Sequence, residues 1–212
     1  DRFLSRLAWN SADISKHELF EMNKKFDLDF PYNKFCAVML NIVDYSEISQ
    51  REDAKEVRMV EFAVFNVANE LMDESEIVYE TLPAGNNSIS YIVNYDMDDE
   101  RIKGVFENIF ETLYNLLKII VVISVGNSVN SIYRFSFSYE EAGIALNHAA
   151  KNNQFGMVPY NDIKDLIIAD NIYYPIEKEF ALMQSVKTGN LAITEKILNE
   201  LYEVNFKQRN LE

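Results

Sequence analysis

The sequence predicts an α+β fold of ferredoxin-like type: an antiparallel sheet with helices on one side, flanked by an N-terminal helical pair and a C-terminal helical hairpin. Short, β-prone apolar runs alternate with longer runs whose apolar residues recur every three or four positions, as in amphipathic helices. Capping signals precede several of these longer runs. Apolar residues make up 48% of the 212-residue chain, which is enough material for a packed core.

The first thirty residues predict two helices. Apolar residues stand at helical spacing in residues 3–7. Ser15 to Glu18 then has the form of a capping box, in which the serine side chain accepts from the Glu18 backbone N–H and the glutamate reaches back. We expect this box to open a helix that runs to about Phe26, and the proline-containing residues 29–31 to end the helical segment.

The middle of the chain predicts the element order β–α–β–β–α–β–α–β, whose core is the split βαβ arrangement. Strands are expected at 34–43, 77–82, 88–95 and 119–125, with a short edge strand at 157–159. The first of these strands is apolar enough to be buried on both faces. Helices are expected at 53–71 and 98–118, and a second capping box, Ser138 to Glu141, is expected to open a helix with a stripe of alanines.

The last part of the chain predicts two helices, 176–186 and 190–204, with Gly189 ending the first and Asn190 capping the second. We divide the chain into an N-terminal helical linker (1–30), a central domain (31–168) and a helical coupling segment (169–212). The final helices offer more apolar surface than a solvent-facing pair needs. The residues that we expect to form this interaction surface are Phe180, Met183, Val186, Leu201 and Val204.

Charge and composition exclude several functions. The net charge of −14, without any local cluster of lysine or arginine, disfavours binding of nucleic acid or anionic membranes by this segment. The longest apolar stretch, 116–125, is shorter than the ~20 residues that span a bilayer. Cys36, the single cysteine, lies in an apolar run, and with two histidines it makes no zinc set, so we expect neither metal nor cofactor. We expect a cytoplasmic location and a longer natural protein.

Several stretches resemble one known family. Residues 138–142, followed by 154–156 and 160–163, resemble the end of the degenerate GGDEF-like domain of AraC-type bacterial transcription regulators. Residues 173–179 and 187–190 are similar to the helical segment that follows it there, and the resemblance covers nearly the whole chain. It implies a segment that lies between an N-terminal input, either a membrane-bound sensor or a receiver domain, and a C-terminal pair of helix-turn-helix motifs. DNA binding would then belong to the full-length protein only.

Active GGDEF proteins are diguanylate cyclases, whose chemistry needs carboxylates that hold two metal ions. Asn41 and Val43 stand where the family has these acids at the end of the first strand, and Asp44 comes one place late, on the opposite strand face. In the hairpin, residues 84–88 keep only Gly85 of the family motif. We therefore predict that the chain is not an enzyme.

The hairpin nevertheless supplies candidate ligand-binding residues, although asparagine-rich turns are also simply good turns. These candidates are Gly85, Asn86, Asn87 and Ser88. Our first hypothesis is a non-catalytic segment that transmits a signal within the same polypeptide, and a homodimer is kept open. The alternative is a sensor of a small ligand, nucleotides included. A diguanylate cyclase is the third reading, which the motif losses disfavour.

Overall fold

The computed structural model describes residues 2–11, 14–26, 29–43, 45, 54–82, 87–170 and 176–204. The chain divides into two units, residues 1–163 and 164–212. The first unit contains a five-stranded sheet with its helices, and the second contains the final helical pair. No helix among these described residues is both long and apolar enough to cross a membrane.

Two helices, α1 (Arg2–Asn10) and α2 (Lys16–Phe26), precede the sheet, as predicted. The first half of the predicted capping box is present at α2, where the Glu18 backbone N–H donates to Ser15 Oγ over 3.1 Å. The Glu18 carboxylate has another role, because it pairs with the guanidinium of Arg6 on α1. The box therefore joins the two helices as well as starting the second.

The sheet has the strand order β2-β3-β1-β4-β5. Its strands are β1 (Lys34–Ile42), β2 (Ile77–Leu82), β3 (Ser88–Tyr95), β4 (Val121–Val125) and β5 (Gly156–Pro159). All neighbours are antiparallel except β5, which pairs in parallel with β4 at the edge. The predicted α+β class is confirmed, and the sheet is mixed because of this last strand.

Three helices connect the strands: α3 (Ala54–Asp73), α4 (Asp99–Thr112) and α5 (Phe135–Lys151). Asp98 caps α4, since its side chain accepts from the Arg101 backbone N–H over 2.8 Å. The predicted helix 98–118 changes its form in the last turn, where Leu113–Leu117 is π-helical and Lys118 adopts a left-handed backbone with φ of 57°. A short 3₁₀ turn, Ile132–Arg134, leads into α5.

The helices cover both faces of the sheet, which corrects the prediction of helices on one side. On one face, α3 and α4 pack against Val38 and Leu40 of β1. On the other, α1 and α5 pack against Ala37 and Met39. Neighbouring residues of β1 are thus buried on opposite faces, with Ala37 at 0% and Val38 at 1% exposure. A central strand that is apolar on both faces needs a layer of helices on each side.

The remaining helices are α6 (Tyr160–Asp170), α7 (Ile176–Lys187) and α8 (Leu191–Tyr202). Gly189, with φ of +67°, follows α7, and the Asn190 side chain accepts from the Ile193 N–H over 3.2 Å to cap α8. Both predicted signals are confirmed. The two helices run antiparallel, and the hydroxyls of Ser185 and Thr194 hold them together at 2.9 Å.

Candidate functional site

The described ligand-binding candidates lie at the end of the sheet where β1 finishes. Asn41 of β1 pairs with Ser88 of β3, so the two half-buried side chains share one sheet face. The Ile42 N–H donates to the carbonyl of Asn87 over 2.9 Å, and the Val43 N–H donates to the carbonyl of Ile120 over 3.0 Å. The structure therefore brings Asn87 and Ser88 beside Asn41.

Part of the predicted site lies outside the described residues. Gly85 and Asn86 of the hairpin and Asp44 after β1 fall in this group. The described side chains at this end are amides and hydroxyls, which can donate and accept hydrogen bonds from a polar ligand. Within the described part of the chain, no group of three or more His, Cys, Asp and Glu residues stands close enough to hold a metal ion.

Tyr45 and Glu61 add a contact at this end that the sequence analysis missed. The Tyr45 hydroxyl donates to Oε1 of Glu61 on α3 over 2.6 Å. This bond fixes the chain just after β1 to the helix that begins nine residues later. A tyrosine next to a strand end is an ordinary core residue in sequence, so only the fold reveals its partner.

The residues 138–142, which carry the family resemblance, have structural roles in α5. The Ser138 hydroxyl, with 0% exposure, accepts from the Ala37 N–H of β1 over 2.9 Å. The Glu141 carboxylate accepts from both the backbone N–H and the side-chain amide of Asn127, at 2.8 and 3.1 Å. The predicted capping box at Ser138 is wrong, because α5 begins earlier, at Phe135, and the Ser138 side chain is taken by the neighbouring strand.

The predicted interaction residues fall into different environments. Met183 and Val186 are exposed on α7, at 44% and 61%, whereas Leu201 is buried between the helices and Val204 is half-buried. The side chain of Phe180 lies outside the described residues. Lys178 of α7 forms an ion pair with Glu200 of α8, and its hydrogen bond lowers the pKa of that carboxyl.

A crevice of about 420 Å³ lies at the opposite end of the sheet, between the end of β4 and the start of α4. Its lysine, Lys103, stands 3.6 Å from Glu100 and 4.0 Å from Asp162. Asp99 adds a further carboxylate to the lining. Since acids surround the lysine, this crevice does not favour an anionic ligand.

Cys36 and the two histidines lie in different environments. Cys36 has 1% exposure, and burial raises the pKa of its thiol to about 12. A thiol in that environment is a structural residue, because the nucleophile is the thiolate. His17 is exposed on α2, and His148 is half-buried on α5.

Comparison with known proteins gives the fold. No protein-family model matches the chain, and no curated protein matches it. The GGDEF domain of DgcB from Caulobacter crescentus, solved in complex with c-di-GMP, matches with a TM-score of 0.52 and 12% identity over 75% of this chain and 88% of that one. The active GGEEF domain of a diguanylate cyclase from Vibrio cholerae matches with a TM-score of 0.49 and 14% identity over 66% and 88%. The chain has a GGDEF-like fold.

This finding corrects the prediction that the chain is not an enzyme. That prediction rested on Asn41, Val43 and the reduced hairpin motif. The GGDEF domain of DgcB, which was solved in complex with c-di-GMP, shares the fold of this chain, and this shared fold is the finding that overturns the prediction.

Proposed function

We propose that the chain is a signal-transmitting segment of a bacterial AraC-type transcription regulator. It would couple an N-terminal sensor or receiver domain to a C-terminal pair of helix-turn-helix motifs in the same polypeptide. The GGDEF-like fold supports the signalling role. The AraC-type context is supported by the resemblance of residues 138–142, 173–179 and 187–190.

The observation that carries the proposal is the attachment of α1 to α5. Leu7 and Ala8 of α1 are buried, at 0% and 3% exposure, against the sheet face that α5 covers. The hydroxyl of Ser11, just after α1, donates to the Tyr133 carbonyl over 2.9 Å and accepts from the Ser136 N–H over 3.0 Å. The helix that would receive an upstream signal is therefore fixed to the start of α5.

From α5 the contacts continue into the centre of the sheet. Ser138, one turn after the start of the helix, accepts from the Ala37 N–H of β1. Glu141, in the next turn, holds Asn127 after β4. A shift of α1 would thus be passed to the two central strands through buried or half-buried polar contacts, which have few alternative arrangements.

The first test is the gene sequence on both sides of this segment. Two helix-turn-helix units beyond Glu212, with an input domain before Asp1, would support the proposal. A stop codon soon after Glu212 would contradict it, and would leave a free-standing GGDEF-like domain for ligand screening.

The second test uses the full-length protein and a transcription reporter, compared with and without the upstream input region. We expect the Ser11→Ala variant to lose the difference between these two states, because α1 is then less firmly held on α5. Its DNA affinity in a gel-shift assay should stay within about twofold of the wild type. Lys24→Ala, on the exposed side of α2, is the control. An unchanged input response in Ser11→Ala would argue against this route.

A ligand site at the hairpin end is the second candidate function. It is favoured by the neighbouring polar groups of Asn41, Asn87 and Ser88. We would titrate the chain with GTP and with c-di-GMP in Mg²⁺ by calorimetry, and follow GTP turnover in the same samples. Binding that Ser88→Ala weakens about tenfold, but Ser128→Ala at the other sheet end does not, would support the site. Absence of binding by either nucleotide would reject nucleotides as the ligand.

A further inference from the structure

The final helical pair leaves one apolar face uncovered. Met183 and Val186 of α7 and Leu191, Leu198 and Tyr202 of α8 are between 44% and 74% exposed. We call these five side chains the hairpin face. The whole described chain has fifteen large apolar side chains that are strongly exposed, and seven belong to residues 164–212, so apolar exposure is concentrated in this smaller unit.

The five residues lie on the same side of the helical pair. On α8, Leu191, Leu198 and Tyr202 follow each other at seven and four residues, which places them in one stripe at 100° per residue. On α7, Met183 and Val186 are three residues apart. The two helices are antiparallel and meet at Ser185 and Thr194, and the buried Ile197 lies on the same side of α8 as Thr194. With 100° per residue, both stripes lie to the same side of that contact.

Charge also distinguishes this unit. Residues 164–212 contain six basic and eight acidic residues, a net charge of −2, so residues 1–163 carry the remaining −12 of the total −14. Two copies that approached through the first unit would repel each other strongly. The helical pair is the part of the chain where two copies can meet with little electrostatic cost.

The helical pair is small for its apolar content. Each of its helices has 12 residues, and Ile197 and Leu201 are the large apolar side chains buried in its described part. Short helices gain most of their stability from tertiary packing. Antiparallel helical pairs find such packing in four-helix bundles.

We propose that the hairpin face is a dimer interface and that its occupant is the hairpin face of a second copy of this chain. A twofold axis places the same stripe on both sides of the contact, so Leu191, Leu198 and Tyr202 meet their equivalents. The four helices then form a bundle. This inference does not depend on the proposed function, since any GGDEF-like chain with this hairpin would pair in the same way.

Sedimentation equilibrium of the chain tests the proposal. We expect a monomer–dimer equilibrium for the wild type. The double variant Leu191→Ser/Leu198→Ser should weaken it roughly 100-fold, since four leucines leave the interface. The matched control is Met59→Ser/Phe62→Ser, two side chains on α3 with 61% and 67% exposure, and its dimer constant should equal that of the wild type.

Hydrogen exchange gives a second measurement that needs no variant. The wild type is diluted from above to below the dissociation constant of the dimer. This dilution should reduce the protection of the α8 amides and leave the protection of the β1 amides unchanged. A wild-type chain that stays monomeric at about 100 μM would overturn the proposal. The proposal would also be overturned if the Met59→Ser/Phe62→Ser variant abolished the dimer. The same holds if dilution of the wild type left the protection of the α8 amides unchanged.

Discussion

Gly126 and Ser138 lie in direct backbone contact: a Cβ built on Gly126 would stand 1.9 Å from the carbonyl oxygen of Ser138. The residue after Gly126, Asn127, is held by the Glu141 carboxylate, and Ser138 itself accepts from the Ala37 N–H. The end of β4, the first turns of α5 and the middle of β1 therefore meet within a few ångströms. This junction yields two predictions.

The first concerns Gly126→Ala. The added methyl cannot be accommodated against a backbone oxygen without moving α5, so we expect a loss of at least about 3 kcal/mol in the free energy of unfolding. Gly104→Ala on α4 is the matched control, because nothing outside its chain neighbours and the backbone of its own helix lies within 4 Å of its Cβ position. That change should stabilise the protein by about 0.5–1 kcal/mol. Urea denaturation measures the free energy of unfolding of both variants. Equal effects of the two changes would contradict the close contact between Gly126 and Ser138.

Ser138→Ala leaves the Ala37 N–H without its partner inside the core. An unsatisfied buried donor costs about 1–3 kcal/mol, and we expect that loss in urea denaturation. The specific readout is hydrogen exchange at the Ala37 amide, which should accelerate more than exchange at Val38. If exchange at Ala37 is unchanged relative to Val38, the hydroxyl is not the acceptor that protects it.

Glu80 on β2 should make stability depend on pH. Burial raises the pKa of its carboxyl in the folded state, so the unfolded chain releases this proton at lower pH than the folded chain. The contribution of this group to stability therefore falls as pH rises from about 4.3 through the folded pKa. We expect Glu80→Gln to be more stable than the wild type at pH 7 and equal to it at about pH 4.

Thermal unfolding across this pH range measures the difference between the two proteins. Glu74→Gln, an exposed carboxylate just before β2, controls for the loss of one negative charge. If the difference in unfolding temperature between the wild type and Glu80→Gln is constant from acidic to neutral pH, burial of this carboxyl is not the cause of that difference.

Cys36 should resist modification in the native protein. Its burial in β1 raises the pKa of the thiol to about 12, so very little thiolate is present at pH 8 and the sulfur is not accessible. We expect labelling by a disulfide reagent to proceed at the rate of global unfolding and to accelerate with urea. Complete labelling within seconds in native buffer would contradict this.

The local patterns predicted most elements to within a few residues. Apolar alternation and helical spacing are properties of the segment itself, and β2, β3 and α2 begin where the sequence predicts. The wrong prediction of a capping box at Ser138 has a different origin. Its hydroxyl could have capped a helix, but it accepts a hydrogen bond from the Ala37 N–H, 101 residues away in the chain. A pattern within one segment cannot predict that contact.

The candidate site was predictable only in part. The sequence placed Asn87 and Ser88 in a hairpin, and the register with Asn41 follows from strand pairing, which the sequence does not specify. The bond between Tyr45 and Glu61 depends on how α3 crosses the sheet. The reduced motif led to an exclusion of catalysis that the fold comparison corrected.

The edge strands have a consequence for self-association through the backbone. β5 is four residues long and ends at Pro159, which has no N–H to donate, so growth of the sheet on that side is blocked. At the other edge, β2 offers six residues to a strand from another molecule, and Glu80 at its middle is the charge that opposes such growth. Acid removes that charge together with much of the net −14. Acidic conditions should therefore promote aggregation that starts at β2, and replacing Thr81 with lysine should delay it.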